Sequence, residues 1–147
     1  MEPTFDVIRP DDHASRFSRD EIADFLHHHL DEYGDPKEDI LACLAYAAGD
    51  TPGRTGVTLI AHDEEKILGA AVLNHTGMKG YIPENILVYI AVHSEARGQG
   101  LGKTLMTRII DLADGAIALH VEEDNPARFL YEKVGFETKY LEMRRTR

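Results

Sequence analysis

The sequence predicts an α/β domain in which one mixed sheet is covered by helices on both faces. Apolar residues recur at helical spacing in four segments and at strand spacing in six others, in the order β-α-α-β-β-β-α-β-α-β. Residues 86–92 are apolar on both faces of the strand, as is typical of a central strand between two helical layers. We therefore expect about six strands and four helices in a single domain spanning residues 1–147.

The first third of the chain contains one strand and two helices. Residues 5–8 form a short β-like run that Pro10 ends. Ser18 and Glu21 have the spacing of a capping box, which predicts the start of a first helix. Asp35 and Pro36 are predicted to be the N-cap and first turn of a second helix.

Strand patterns then alternate with helical ones. Residues 57–61 and 67–73 are joined by an acidic turn and predict a hairpin, and the central strand follows. A third helix is expected from about Gly100. The remaining elements are a strand at 116–121, a helix at 126–134 and a last strand at 136–143.

Composition excludes several functional classes. The net charge of −10 argues against binding to nucleic acid, whose phosphates are held by Lys and Arg. No segment has the ~20 apolar residues that cross a bilayer, so no membrane association is expected. The N-terminus has no basic start followed by an apolar run, so no signal peptide is predicted. The single Cys43 cannot form an internal disulfide, which is consistent with a cytoplasmic protein.

A glycine-rich turn follows the central strand and opens the third helix. Glycines allow close approach of a ligand, and a helix N-terminus favours an anion, so the turn suits a pyrophosphate. A Walker loop would need glycine where Arg97 stands, and a dinucleotide fingerprint would need it at Lys103. Both of those patterns therefore fail, although a tight turn without a ligand remains an alternative.

The run Arg97-Gly98-Gln99-Gly100-Leu101-Gly102 resembles the Gln/Arg-x-x-Gly-x-Gly/Ala signature of the GNAT superfamily of acyl-CoA-dependent N-acyltransferases. Residues 90–92 upstream and 125–136 downstream are also similar to GNAT motifs, and so is the start of the chain at residues 8–10. The resemblance implies a mostly antiparallel sheet whose fourth and fifth strands splay apart, with acetyl-CoA as the acyl donor bound in the opening.

The resemblance also assigns roles to residues of this chain. The pantetheine arm would lie along Ile90, Ala91 and Val92, and a backbone N–H near Ile90 or Val92 would polarise the thioester oxygen. The pyrophosphate would be held by the loop residues Arg97, Gly98, Gln99, Gly100, Leu101, Gly102 and Lys103.

The same resemblance places the proton donor for the leaving thiolate at Tyr131. Helical spacing puts Tyr131 on the face shared by Ala127, Leu130 and Val134, which predicts that it points inward. The GNAT asparagine that contacts pantetheine usually lies seven residues before this tyrosine, where Asp124 stands here. Asn125 is the favoured contact, with a purely capping role as the alternative.

Two residues are candidates for the base that takes the proton of the amine. Glu84 has the same pleat parity as residues 86, 88 and 90, and His120 lies on the predicted fifth strand. Each residue also has an alternative, non-catalytic role. Glu84 would be an exposed loop residue, and His120 would be a strand residue held by hydrogen bonds. The adjacent His27, His28 and His29 lie ~100° apart on a helix and cannot converge on one ion, so no metal is predicted.

The acceptor is expected to be a small-molecule or peptide amine, and the site could be completed by a second subunit in a homodimer. Residues 1–50 hold thirteen acids and four bases, whereas residues 101–147 hold eight of each. This acidic segment favours a cationic acceptor if it borders the cleft, and otherwise it is a solvated face. The alternative from another functional class is a non-catalytic acyl-CoA-binding regulator, which would not need Tyr131.

Overall fold

The computed structural model describes residues 2–147, which form a five-stranded mixed sheet with two helices on each face. The strands lie in chain order, antiparallel from the first to the fourth, and the fifth is parallel to the fourth. The strands are β1 (Thr4–Ile8), β2 (Gly56–His62), β3 (Ile67–His75), β4 (Asn85–Val92) and β5 (Ile117–Leu119). The helices are α1 (Arg19–Leu30), α2 (Lys37–Ala47), α3 (Leu101–Leu112) and α4 (Ala127–Lys133). The predicted α/β class is confirmed.

Helix α1 begins at the predicted capping box. The Ser18 hydroxyl accepts a hydrogen bond from the Glu21 backbone N–H at 3.1 Å, and the Glu21 carboxylate accepts one from the Ser18 N–H at 3.1 Å. Two of the free N–H groups at the helix start are thereby satisfied. The buried face of α1 carries Ile22, Phe25 and Leu26, at the helical spacing seen in the sequence.

Helix α2 begins differently from the prediction. Pro36 is its N-cap residue, with no side-chain cap, and Asp35 lies one position earlier. The Asp35 carboxylate does not cap the helix because it accepts a hydrogen bond from the Tyr89 hydroxyl of β4 at 2.5 Å. A tertiary contact has therefore replaced the local one that the sequence suggested.

Two hydrophobic clusters cover the two faces of the sheet. Helices α1 and α2 pack on one face, where their cluster includes Leu26, Ile40 and Ile60. Helices α3 and α4 pack on the other, where Leu105 and Tyr131 are among the buried residues. Each fully buried Leu or Ile side chain contributes about 1.5–3 kcal/mol to folding, so both layers hold the sheet.

The strand predicted at residues 136–143 does not form. The backbone N–H of Phe136 donates to the Tyr131 carbonyl at 3.0 Å, and the chain then continues without strand pairing. Tyr140, Leu141 and Met143 are 81%, 88% and 91% exposed. A strand needs a neighbour as well as an alternating pattern, and here the neighbouring β5 offers only three residues. The sheet therefore has five strands where about six were expected.

Candidate functional site

Strands β4 and β5 separate in the middle of β4. Only Asn85, Ile86 and Leu87 of the eight-residue β4 pair with β5. Immediately afterwards Val88 forms a β-bulge, because Leu87 pairs with Leu73 of β3 and Tyr89 pairs with the adjacent Val72. From Val88 to Val92 the edge of β4 that faces β5 is unpaired, and the predicted splay is confirmed.

Backbone N–H groups point into this gap. The His93 N–H donates to the Leu68 carbonyl on the β3 side at 2.8 Å. Because successive N–H groups of a strand point to opposite sides, those of Ala91 and Tyr89 also face β3. The N–H groups of Val92 and Ile90 therefore face the gap, where a bound extended ligand could accept hydrogen bonds from them.

The gap opens onto the glycine loop at the N-terminus of α3. Gly98 and Gly100 both have a φ of 81°, and a Cβ at either position would meet no other atom within 4 Å. Gly100 is the N-cap of α3, which has neither a side-chain cap nor an acidic residue in its first turn. Free N–H donors and the positive end of the helix dipole thus face open space, which suits an anionic group such as a pyrophosphate.

Other residues of the loop have mainly structural contacts. The side-chain amide of Gln99 donates to the Glu95 carbonyl at 3.4 Å. Leu101 is buried in the core beneath α3, so only its backbone can face a ligand. A Cβ at Gly102 would lie 3.2 Å from the Leu130 side chain, so this glycine permits close packing of α3 on α4. Lys103 is exposed beside the loop.

The Arg97 guanidinium is turned toward α1. It donates to the carbonyls of Val92 at 3.3 Å and His29 at 3.1 Å. The His29 ring stacks between those of Phe25 and His93, with centroid distances of 4.6 and 4.3 Å. Burial, together with the neighbouring His93, His28 and Arg97, lowers the pKa of His29 to about 4. His29 is therefore neutral at pH 7, and this cluster fixes the end of α1 against the loop.

Tyr131 lies on the opposite face of the sheet, on α4. It is 9% exposed, and its ring contacts that of Phe136 at a centroid distance of 6.3 Å. Within residues 2–147 no fully buried side-chain N or O atom lacks a hydrogen-bond partner. Since its hydroxyl has no partner in this part of the chain, it is in contact with solvent. Burial raises the pKa of Tyr131, so the hydroxyl stays protonated at neutral pH.

The two base candidates lie at different ends of the site. Glu84 precedes β4, and its carboxylate accepts a hydrogen bond from the Ala116 N–H at 3.0 Å, beside Gly115. Backbone hydrogen bonds, first of all that from Ala116, lower the pKa of Glu84. His120 immediately follows β5 and is exposed at the side of the gap.

The parity argument for Glu84 is wrong, because the bulge reverses the pleat. Leu87 and Ile90 pack in the same cluster although they are three residues apart, so residues 86 and 90 lie on opposite faces. Glu84 therefore does not share a face with Ile90.

Asn125 caps the start of α4. Its side-chain oxygen accepts a hydrogen bond from the Ala127 N–H at 2.9 Å, which is the capping alternative considered for it. Its amide N–H₂ group makes no hydrogen bond with residues 2–147, so a ligand contact remains a prediction.

Sequence reasoning missed the contact between Tyr89 and Asp35. Tyr89 has the one polar side chain among residues 86–92, and that exception within an apolar run was the available signal. Nearby, the Tyr33 hydroxyl donates to the Asp124 carbonyl at 3.4 Å, so the α1–α2 connection reaches the loop after β5.

The described residues offer no activated cysteine, no metal-binding group and no membrane-spanning helix. Cys43 is half-buried and donates to Asn74 Oδ1 at 3.5 Å, and burial raises the pKa of its thiol to about 12, so it is not an activated nucleophile. No group of three His, Cys, Asp or Glu side chains within residues 2–147 is arranged to hold a metal ion. Over the same residues, every helix is too short or too polar to cross a bilayer.

Several solved structures share this fold. A ribosomal-protein-alanine N-acetyltransferase from Brucella melitensis biovar Abortus 2308 has a TM-score of 0.67 and 17% identity, covering 99% of each chain. Aminoglycoside N-acetyltransferase AAC(6')-Iy in complex with CoA has a TM-score of 0.68 and 17% identity, over 100% of this chain and 97% of that one. The NatC complex bound to Gag peptide and CoA has a TM-score of 0.70 and 23% identity, over 95% of this chain and 87% of that one.

Sequence comparison identifies the family directly. No curated protein sequence matches the chain. The family model described as "Acetyltransferase (GNAT) domain" matches residues 54–138, which contain β2 to β5, the glycine loop, α3 and α4. The protein therefore belongs to the GNAT acetyltransferase family.

Proposed function

We propose that this protein transfers an acetyl group from acetyl-CoA to a primary amine by direct attack of the amine on the thioester. The observation that carries the proposal is the gap between β4 and β5, which lies beside the open glycine loop, with Tyr131 packed in the same cluster as residues 87, 90 and 92 of β4. The CoA in two structures that share the fold supports the choice of donor. We also propose that residues 1–147 act as one domain, since both helical layers pack on one sheet.

The unpaired backbone groups of the site match the chemical groups of acetyl-CoA. The N–H groups of Ile90 and Val92 would bind the pantetheine arm, and the loop from Arg97 to Lys103 would bind the pyrophosphate. One N–H of β4 would also donate to the thioester oxygen as negative charge develops there. A preorganised donor of this kind contributes about 3–4 kcal/mol to lowering a barrier.

Tyr131 would donate the proton that the departing thiolate needs. Its raised pKa keeps it protonated, and its position on the α3/α4 face leaves the other face of the sheet for the amine. Because the amine attacks directly, no residue of the chain becomes covalently acetylated.

The acidic α1/α2 segment supports a cationic acceptor. The connection between these helices contacts the loop after β5, so this part of the acidic segment lies near the end of the strand that forms one side of the gap. Its field would raise the local concentration of a cationic amine, and salt would weaken this effect as the Debye length falls to about 3 Å at 1 M.

Release of free thiol from acetyl-CoA tests the proposal. We expect thiol release that depends on an added primary amine, is faster for cationic than for anionic amines, and slows for the cationic ones as salt rises. Tight CoA binding without thiol release for any amine would instead favour a non-catalytic acyl-CoA-binding regulator. Equal rates for anionic and cationic amines at every salt concentration would mean that the acidic surface does not select the acceptor.

Replacing the candidate bases should change the pH profile. If His120 or Glu84 accepts the proton of the amine, kcat/KM rises with pH through an apparent pKa that shifts or disappears in His120→Ala or Glu84→Gln. The loss should be about 10²-fold, as for general bases elsewhere. Profiles unchanged in both variants would mean that the amine arrives neutral or loses its proton to water.

A further inference from the structure

Tyr89 and Asp35 form a polar pair on the face of β4 that α1 and α2 cover. Tyr89 directly follows the bulge residue Val88, and its side chain is 7% exposed within the α1/α2 cluster. Its hydroxyl donates to Asp35 Oδ2 at 2.5 Å. Burial and the adjacent Asp35 raise the pKa of Tyr89, so its hydroxyl remains a donor and Asp35 the acceptor.

The Asp35 carboxylate has no cationic partner among residues 2–147. No Lys, Arg or His nitrogen of that part of the chain lies within 4.0 Å of it. The nearest base in sequence, Lys37, is instead bound to Asp20 and Asp24 at 2.9 and 2.8 Å. Asp35 is exposed, so one carboxylate oxygen is held by a buried hydroxyl and the other faces solvent.

The pair stands on the side of the gap that the acceptor would use. Ile90, the next residue of β4, directs its N–H into the gap, and Tyr131 belongs to the cluster on the opposite face. The proton donor and the Asp35 carboxylate therefore lie on opposite faces of β4. An amine that approaches from the α1/α2 side therefore meets the face of β4 on which Asp35 lies.

The distance from the strand decides what Asp35 can bind. Its carboxylate is separated from the β4 backbone by a whole tyrosine side chain and a hydrogen bond of 2.5 Å. That is too far for contact with the nitrogen that attacks a thioester held on the β4 edge. A carboxylate on that nitrogen would also stabilise its protonated, unreactive form.

We infer that Asp35, positioned by Tyr89, determines specificity by binding a second cationic group of the acceptor. The preferred acceptors are thus amines that carry another positive charge a short chain away from the reacting nitrogen. This inference rests on the proposed function and names the substrate class of the same site.

The test compares putrescine with butylamine, which has the same carbon chain but a single amino group. Thiol release from saturating acetyl-CoA gives kcat/KM for each amine. A hydrogen bond to a charged group contributes about 1.5–3 kcal/mol, so Asp35→Asn should lower kcat/KM for putrescine by roughly 10- to 100-fold. Butylamine should change by less than about two-fold, because it makes no contact with Asp35. Tyr89→Phe should also reduce the preference for putrescine over butylamine, since the Asp35 carboxylate loses the hydrogen bond that positions it.

The matched control is Asp31→Asn in the same α1–α2 connection. It removes the same charge from an exposed residue, and Asn keeps the size and shape of the aspartate side chain at a backbone position whose φ is 51°. Its putrescine-to-butylamine ratio should stay at the wild-type value. An equal loss for both amines in Asp35→Asn, or the same loss of preference in Asp31→Asn, would overturn the inference. Wild-type protein that acetylates neither these amines nor any other contradicts the proposed function itself.

A third arm identifies the source of the second charge. A peptide with lysine as its second residue and a linear polyamine both present a cation beyond the reacting nitrogen. Whichever is the better substrate, its advantage over the matched acceptor without that charge should disappear in Asp35→Asn. An advantage that persists in this variant counts against Asp35 as the contact.

Discussion

Gly100→Asp is expected to abolish CoA binding. The aspartate would place a side chain and a negative charge in the open space at the N-terminus of α3, where the pyrophosphate is proposed to lie. Like charges placed together cost several kcal/mol, so affinity measured by calorimetry should fall roughly 100-fold or more. Gly100 is a better position for this test than Gly102, because a Cβ added at Gly102 would also lie 3.2 Å from the Leu130 side chain.

Gly53→Asp provides the control for the backbone cost. Gly53 has a φ of 82° and open space around its Cβ position, so both variants add the same strain and the same charge. Gly53→Asp should bind CoA with wild-type affinity. A folded Gly100→Asp protein that also binds CoA normally would refute the pyrophosphate assignment.

Tyr131→Phe is expected to lower kcat by roughly 10²-fold, the contribution of a lost general acid. Phenylalanine keeps the ring packed against Phe136 within the α3/α4 cluster, so the fold and the affinity for CoA should change little. The effect should therefore appear in kcat and be absent from the dissociation constant of CoA.

Two further measurements separate a proton donor from a packing residue. Tyr140→Phe removes the same hydroxyl from a residue that is 81% exposed, and its activity should equal that of the wild type. In the wild type, the loss of the Tyr131 proton should lower activity at high pH and not near neutral pH, since burial raises the pKa of Tyr131. Full activity in Tyr131→Phe would mean that water or another group protonates the thiolate.

Features encoded by neighbouring residues were predicted correctly. The capping box at Ser18 and Glu21, the hairpin of β2 and β3, and the start of α3 at the glycine loop all formed as expected. In each case the signal and the structure it determines lie within a few residues of each other. The glycine loop was accessible to sequence reasoning for the same reason.

Features that depend on distant partners were not predictable in this way. The bulge at Val88 arises in the pairing with β3, and it invalidates a parity argument that assumed a regular strand. Asp35 carries a good helix-capping signal, yet its carboxylate is bound by Tyr89, 54 residues further along the chain. The alternating pattern after Phe136 finds no adjacent strand of sufficient length. Local pattern alone contains no information about such neighbours.

The bulge at Val88 also bears on how freely this sequence can diverge. The donors at the unpaired edge of β4 belong to the main chain, so they are present whatever side chains residues 90 and 92 carry. Only proline, which has no N–H, would remove one. A binding site formed by backbone N–H groups tolerates substitutions that would destroy a site formed by side chains. The same fold is recognisable at 17% identity over nearly full-length chains, as such tolerance would allow.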